Sequence, residues 1–328
     1  MKANRAIVIG ASSGGVSALL DVVAALPAEL DAVIGLVLHV GNRPSIFPEL
    51  LNRRARLKAR HPRDGEPLER GIIYVAPPDH HMLFTQDTVR LSRGPRENHA
   101  RPALDPLFRS AAMAWGSRAV GVVLTGELDD GTAGLAAIKD CGGMALVQDP
   151  ATAIAPGMPA SALTHVPVDS CLPLAEIAPA LADLAGRIQP MPAASVPERL
   201  QREHAVFEGR EPVENLKALG KPSGLTCPDC GGGLWEINDA RPLRYRCHTG
   251  HAFTSASLEN AQVEQAEHSL WSSVRSLQER EMLLRRLAVV AELTGDPRQA
   301  EVGRRQADKV KAQAQQLAEL VEKELNGA

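Results

Sequence analysis

Short, almost uninterrupted apolar runs alternate with stretches of helical periodicity from residue 5 to residue 188. The runs at 6–9, 32–38, 72–76, 119–124, 144–147 and 165–168 are built from Val, Ile, Leu and Ala. Runs of that length and composition predict strands buried on both faces, as in a parallel sheet. Between them the spacing of apolar positions predicts helices at 15–26, 46–57, 103–115, 133–139 and 174–188. Residues 81–85 and 88–91 read as an inserted hairpin. The alternation predicts an α/β domain over residues 1–188 with a doubly wound, mostly parallel sheet.

The pattern then changes. Residues 189–223 are polar and carry Pro190, Pro192, Pro197, Pro212 and Pro222, which predicts a linker with one short helix. A cysteine-bearing module is expected at 224–254. From residue 255 the spacing is helical, broken by Thr294-Gly295-Asp296-Pro297, so 255–328 predicts an antiparallel helical hairpin. Leu258, Leu270, Val274, Leu277, Leu284 and Leu287 form its expected apolar ridge, which serves either to bury the two helices against each other or to meet a partner.

Composition narrows the class. Charged residues are 23% of the 328 and the net charge is −3, which excludes a chain built for electrostatic capture of nucleic acid. Aromatics are only 3%, so the core must be aliphatic. The apolar run after Lys2 and Arg5 is too short for a secretory signal. No stretch approaches the roughly 20 apolar residues of a membrane span. A cytoplasmic chain without membrane insertion is expected, with reduced cysteines. Cys141 and Cys171 stand alone in apolar surroundings and read as small buried residues.

The candidate chemistry starts at Gly10-Ala11-Ser12-Ser13-Gly14-Gly15, a G-x-S-x-G pattern between a predicted strand and a predicted helix. Such a turn exposes a serine hydroxyl at a helix N-terminus; glycine-rich turns of this kind also cradle phosphate, although the spacing departs from the dinucleotide fingerprint. A serine nucleophile needs a base, and the base an acid. His39 follows the strand at 32–38, and Asp130 follows the strand at 119–124. All three thus sit past carboxyl ends of strands, where open parallel sheets bind ligands. Ser13 is the rival nucleophile and Asp129 the rival acid.

Val8-Ile9-Gly10-Ala11-Ser12-Ser13-Gly14-Gly15, His39, Val75-Ala76-Pro77 with His81-Met82, Arg101-Pro102-Ala103-Leu104-Asp105, Leu124-Thr125-Gly126 with Asp130-Gly131, and Gly157-Met158-Pro159 occur in this order. Over residues 5–188 the chain resembles the catalytic domain of the CheB protein-glutamate methylesterases. The resemblance implies a catalytic triad of Ser12, His39 and Asp130 and, as substrate, methylated glutamates on chemoreceptor helices, with glutamine deamidation as a second activity. It implies no cofactor for catalysis. Backbone amides around Ser13 and Gly14 are the candidate oxyanion donors.

Three departures bear on this. Family members usually carry an N-terminal receiver domain, and a strand starting at residue 5 leads us to expect none here. Gly126-Glu127-Leu128 stands where the family commonly has Gly-Met-Gly, placing Glu127 on the substrate rim. Val40-Gly41-Asn42 replaces the usual Met-Pro. His80, His81 and His99 fall in rim loops and read as surface or structural residues. The expected partners are methylated receptor helices and a separate regulator or cognate methyltransferase system. The rival reading is a non-catalytic adaptor that binds receptor or signalling helices.

Cys227-Pro228-Asp229-Cys230, followed after sixteen residues by Cys247 and then His251, has the spacing of a four-ligand structural zinc site in a zinc-ribbon-like module. His248 is the alternative fourth ligand. Trp235, Tyr245 and Phe253 are the expected core of so small a module. Arg241, Arg244 and Arg246 read as a solvated basic face. Extensions of this kind also occur behind stand-alone methylesterase domains, as the resemblance implies.

Overall fold

The computed structural model describes residues 3–41, 44–187, 196–238 and 240–326. The chain forms two compact units, Met1–Leu258 and Glu259–Ala328.

The first unit is built on seven parallel strands. These are β1 (Arg5–Ala11), β2 (Ala32–Leu38), β3 (Lys58–Arg60), β4 (Ile72–Val75) and, after an antiparallel hairpin of β5 (His81–Phe84) and β6 (Val89–Ser92), β7 (Ala119–Val123), β8 (Met144–Gln148) and β9 (Ser170–Leu172). Their order is β3-β4-β2-β1-β7-β8-β9. The chain winds outward from β1 in both directions, so the crossovers diverge at β1 and β7. That divergence opens a crevice at the strand carboxyl ends.

Helices cover both faces. Ile7 and Ile9 of β1 point to a layer with Leu19 and Val22 of α1 (Gly15–Ala25), Leu51 of α2 (Phe47–Asn52) and Leu181 of the later helix Leu174–Gly186. Ala6 and Val8 point to the opposite layer with Leu107 and Phe108 of α3 (Leu104–Trp115), Leu135 of α4 (Thr132–Asp140) and Met158 of α5 (Gly157–His165). The helix Leu174–Gly186 is α6. Alternating strand residues therefore feed two cores, which is why the predicted strands lack any polar alternation.

Two local expectations change. The helix expected at 46–57 stops at Asn52, whose carboxamide pairs with both the N–H and C=O of Ala59 (2.8 Å each) and turns the chain into edge strand β3. The strand expected at 165–168 lies instead at Ser170–Leu172, and the residues before it form α5. Pro159 sits in the first turn of α5, where a missing N–H costs no intrahelical bond. Of the helix expected at 174–188, residue 188 lies outside the described residues.

The expected linker also holds more structure than one short helix. Residues 189–195 lie outside the described residues, but Glu198–Phe207 (α7) and Pro212–Leu219 (α8) are both helical. Leu200, Val206, Phe207, Leu216 and Leu219 are buried. An antiparallel sheet follows: β10 (Gly220–Thr226), β11 (Gly233–Ile237), β12 (Arg244–Cys247) and β13 (Ala252–Thr254). Of its expected aromatic core only Phe253 is fully buried, Trp235 and Tyr245 being half-buried. Val206, Leu216, Leu219 and Ile237 form the cluster against which Trp235 packs.

The three arginines do not make one solvated face. Only Arg241 is exposed. Arg244 donates to both oxygens of buried Glu203 (2.8 and 2.7 Å), and buried Arg246 donates to Glu97, which Arg109 also grips. Cys171 is likewise exposed, on edge strand β9, while Cys141 is buried as expected.

The helices α9 (Ser255–Leu293) and α10 (Pro297–Asn326) complete the chain, and the second unit is their antiparallel hairpin. Arg285 reaches Asp308 and Arg304 reaches Glu292 across it. Of the expected leucine ridge, Val274 is buried but Leu270 and Leu287 are exposed; the seam uses Ala288, Ala300, Ala307 and Ala314. Among the described residues no helix is long and apolar enough to cross a membrane.

The Arg244–Glu203 pair generates a prediction. Burial opposes ionisation of Glu203, but the Arg244 guanidinium overrides it and holds the carboxyl down to about 2. An unfolded glutamate titrates near 4.3, so this stabilisation is present above about pH 4.3 and is lost as pH falls toward 2. Arg244→Met leaves the carboxylate buried without its partner and should cost about 3–5 kcal/mol at pH 7 by urea unfolding. Its deficit relative to the parent should shrink below about pH 4.3; a deficit unchanged by acid would contradict this account.

Candidate active site and cysteine cluster

The turn after β1 is pinned from three sides. Ser12 N–H donates to Thr125 O (2.9 Å) beyond β7, His39 N–H donates to Ala11 O (3.3 Å), and Gly15 N–H donates to Ser12 O (2.8 Å) as α1 begins. Two glycines are required here by geometry. Gly14 has φ +75° and a side chain there would strike Ile154. A Cβ on Gly126 would lie 2.9 Å from the Ser12 Cβ and 2.1 Å from the Met158 sulfur. Any larger residue at 126 would displace the serine.

The structure brings Ser12, His39 and Asp130 together. His39 Nδ1 lies 3.1 Å from Ser12 Oγ and Nε2 lies 2.8 Å from Asp130 Oδ2. An ionised carboxylate only accepts, so Nε2 carries the imidazole proton and bare Nδ1 accepts from the serine hydroxyl. Asp130 is 3% exposed. Its Oδ2 also accepts from Leu104 N–H (2.7 Å) at the start of α3, and its Oδ1 accepts from Asn98 Nδ2 (2.9 Å). Burial alone would raise this carboxyl; the bonds from His39, Leu104 and Asn98 instead hold it below its usual range. For Asp105, burial first and then the neighbouring Asp130 charge push the carboxyl up to about 8. The two neighbouring carboxyls are thus pushed in opposite directions, Asp105 up and Asp130 down.

The rivals are separated by their surroundings. Asp129 turns away and accepts from Thr254 Oγ1 (2.7 Å). Ser13 is exposed, and its carbonyl accepts from Thr125 Oγ1 (2.9 Å). Glu127 and Leu128 are exposed beside Gly126. A cleft that reaches His39 is lined also by Gly41, Asp79, Arg96, His99 and Arg101; Asn42 lies outside the described residues. His81 is not on the rim. It is fully buried, donates from Nε2 to Pro95 O (3.0 Å) and accepts from Ala103 N–H (3.3 Å), and burial lowers its pKa to about 4.

The ligand atoms of Cys227, Cys230, Cys247 and His251 lie within 4.8 Å of one another, and the cysteines are unpaired. Zn–S bonds of about 2.3 Å and Zn–N bonds of about 2.05 Å in a tetrahedron place two sulfurs about 3.8 Å apart and sulfur and nitrogen about 3.6 Å apart. The Cys230–Cys247 sulfurs are 3.7 Å apart, and Cys247 Sγ is 3.5 Å from His251 Nδ1. The residues therefore fit zinc. The other histidine nitrogen lies 4.0 Å from Asp229 Oδ2, an ion-pair separation beyond hydrogen-bond distance. The alternative ligand, His248, is exposed and outside this group.

Neither spacing nor composition singles out Asn98, which donates to Asp130, or Thr254 and Ser257, which donate to Asn98. Asn98 stands just ahead of Arg101-Pro102-Ala103-Leu104-Asp105, the only hint of its place. Its φ of +51° is a conformation asparagine tolerates better than most residues, but nothing in composition signals that in advance.

Residues 7–181 match the family model described as CheB methylesterase. A protein of Leptospira interrogans is 39% identical over 176 residues, covering 53% of this chain and 91% of that one. Protein-glutamate methylesterase/protein-glutamine glutaminase 2 of Anaeromyxobacter dehalogenans is 41% identical over 179 residues. That match covers 54% of this chain and 52% of the relative, so the chain spans only about half the length of some relatives. The crystal structure of the Thermotoga maritima CheB methylesterase catalytic domain superposes with a TM-score of 0.53 at 32% identity, covering 56% of this chain and 99% of that one. With its sheet order, its Ser12–His39–Asp130 succession and this match in hand, the chain belongs to the CheB methylesterase family.

Proposed function

We propose that this chain is a cytoplasmic serine hydrolase that removes methyl esters from glutamate side chains of chemoreceptors and also deamidates glutamine. The observation that carries the reading is the imidazole of His39, bonded to a hydroxyl on one side and a buried carboxylate on the other. Ser12 Oγ attacks the ester carbonyl as its proton passes to His39 Nδ1. Asp130 stabilises the imidazolium through the Nε2 proton and fixes the tautomer. The amides of Ser13 and Gly14, at the N-terminus of α1, receive the developing oxyanion. Collapse of the tetrahedral intermediate breaks the C–O bond, and methanol leaves with the proton from Nδ1. Water then gives a proton to the same nitrogen, attacks the acyl-enzyme and releases the glutamate carboxylate with Ser12 restored. With glutamine the leaving group is ammonia. Glu127, exposed beside Gly126, belongs to the rim that selects the substrate segment.

The cysteine cluster would hold one structural zinc through Cys227, Cys230, Cys247 and His251. A zinc held there would crosslink a module with little core, the four ligands all coming from the protein.

Ser12→Ala should abolish methanol release from methylated receptor fragments, and Asp130→Asn should lower kcat about 10⁴-fold by admitting the wrong tautomer. Binding of the fragments without turnover in the parent would favour the adaptor reading; turnover that survives Ser12→Ala would remove Ser12 from the mechanism. Metal analysis should find about one zinc per chain, lost in Cys227→Ser. Full zinc content in that variant would refute the ligand set.

A further inference from the structure

One of the donors to the Asp130 carboxylate, Asn98, is itself held by residues that follow the cysteine cluster. Asn98 Nδ2 donates to Asp130 Oδ1 and to Asp105 Oδ2, each at 2.9 Å. On the other side Asn98 Oδ1 accepts from Thr254 N–H and from Ser257 Oγ, each at 3.1 Å. Both hydrogens and both lone pairs of the carboxamide are thus engaged. The Thr254 backbone amide can only donate, which fixes which end of the carboxamide faces it. A flipped Asn98 would set its amide nitrogen against that N–H and its oxygen against the Asp130 carboxylate.

The residues around Asn98 are gripped from the same direction. Asn98 N–H donates to Ala252 O (2.8 Å) and Ala252 N–H donates to Arg96 O (3.3 Å). Glu97 is tied to Arg246 of β12 at 3.1 Å, and His99 pairs with Asp229, between two metal-ligand positions, at 3.0 Å. Three consecutive residues beside the acid are therefore clamped by the C-terminal module.

Resting on the triad reading above, we infer that Asn98 is a positioning residue for Asp130, and that Thr254 and Ser257, just after the cysteine cluster, complete the hydrolytic site by locking the Asn98 carboxamide. On this view the module is a working part of the esterase. Asp130 has two oxygens; with Oδ1 tethered by Asn98, Oδ2 stays aimed at His39 Nε2. Without the tether the carboxylate rotates about its Cβ–Cγ bond, and the proton on Nε2 loses its fixed partner.

The full-length, zinc-loaded chain provides the test, with kcat and KM measured separately on a glutamate γ-methyl ester peptide and the far-downfield imidazole proton followed by NMR. Asn98→Ala should lower kcat about 10- to 100-fold, the equivalent of one charge-assisted hydrogen bond, with KM unchanged. Ser257→Ala, a milder change that leaves the Thr254 N–H in place, should lower kcat about three- to tenfold. Both should move or broaden the downfield resonance while zinc content stays at the parent level. A kcat within about twofold of the parent in Ser257→Ala and in Asn98→Ala, with the resonance unmoved, overturns the inference. So does a rise in KM with kcat unchanged, which would make these residues part of the cleft. The triad reading fails separately, if the parent shows no turnover or Ser12→Ala retains it. The resonance in Asn98→Ala and Ser257→Ala decides the role of Asn98 in either case.

Discussion

One buried negative charge organises the candidate site. Asp130 is almost inaccessible to solvent, and a carboxylate in that position must be met by donors or take up a proton. Its donors come from far apart in the chain: His39 after β2, Leu104 at the head of α3 and Asn98 in the preceding loop. Burial, and then the Asp130 charge, raise the neighbouring Asp105 carboxyl, the opposite direction from Asp130 itself. The chemistry proposed for Ser12 depends on where that charge points.

The sheet explains why the parts meet. Diverging crossovers from β1 leave the ends of β1, β2 and β7 around one crevice, and the turn residues Ser12, His39 and Asp130 are each only a short step from a strand end. Close approach follows from Gly126, where a side chain would press on Met158 and Ser12, and from Gly14, where one would strike Ile154. Thr125 ties the turn after β7 to the turn after β1 through both its carbonyl and its hydroxyl.

The cysteine module is joined to this site by buried charge. Glu97 lies between Arg109 of α3 and Arg246 of β12, and burial, which would oppose its ionisation, is overcome by those two guanidiniums. A buried ionic network of this kind adds little net stability over a well-packed apolar one. Its directional bonds instead fix the seat of the loop that carries Asn98. The same logic accounts for Glu203 of α7 and Arg244 of β12, which tie the helices before the module to its sheet.

The sequence by itself determined the parallel α/β sheet, the turn at Ser12, the places of His39 and Asp130 past strand ends, and the spacing of the four cysteine and histidine residues. Those are local facts: apolar runs, strand-end positions and pairs of ligands one turn apart. It did not determine the short α2, the helix α5, the alanine seam of the terminal hairpin, the exposure of Cys171, the ion pairing of Arg244 or the burial of Arg246. Each depends on which surface another segment presents, and periodicity carries no information about that. Only the tertiary structure decided that Nδ1 of His39 faces the serine and that a carboxamide at residue 98 stands behind the acid. Hydrogen bonds act over about 3 Å between groups whose separation in sequence exceeds 150 residues at Asn98 and Thr254, so their direction exists only after folding.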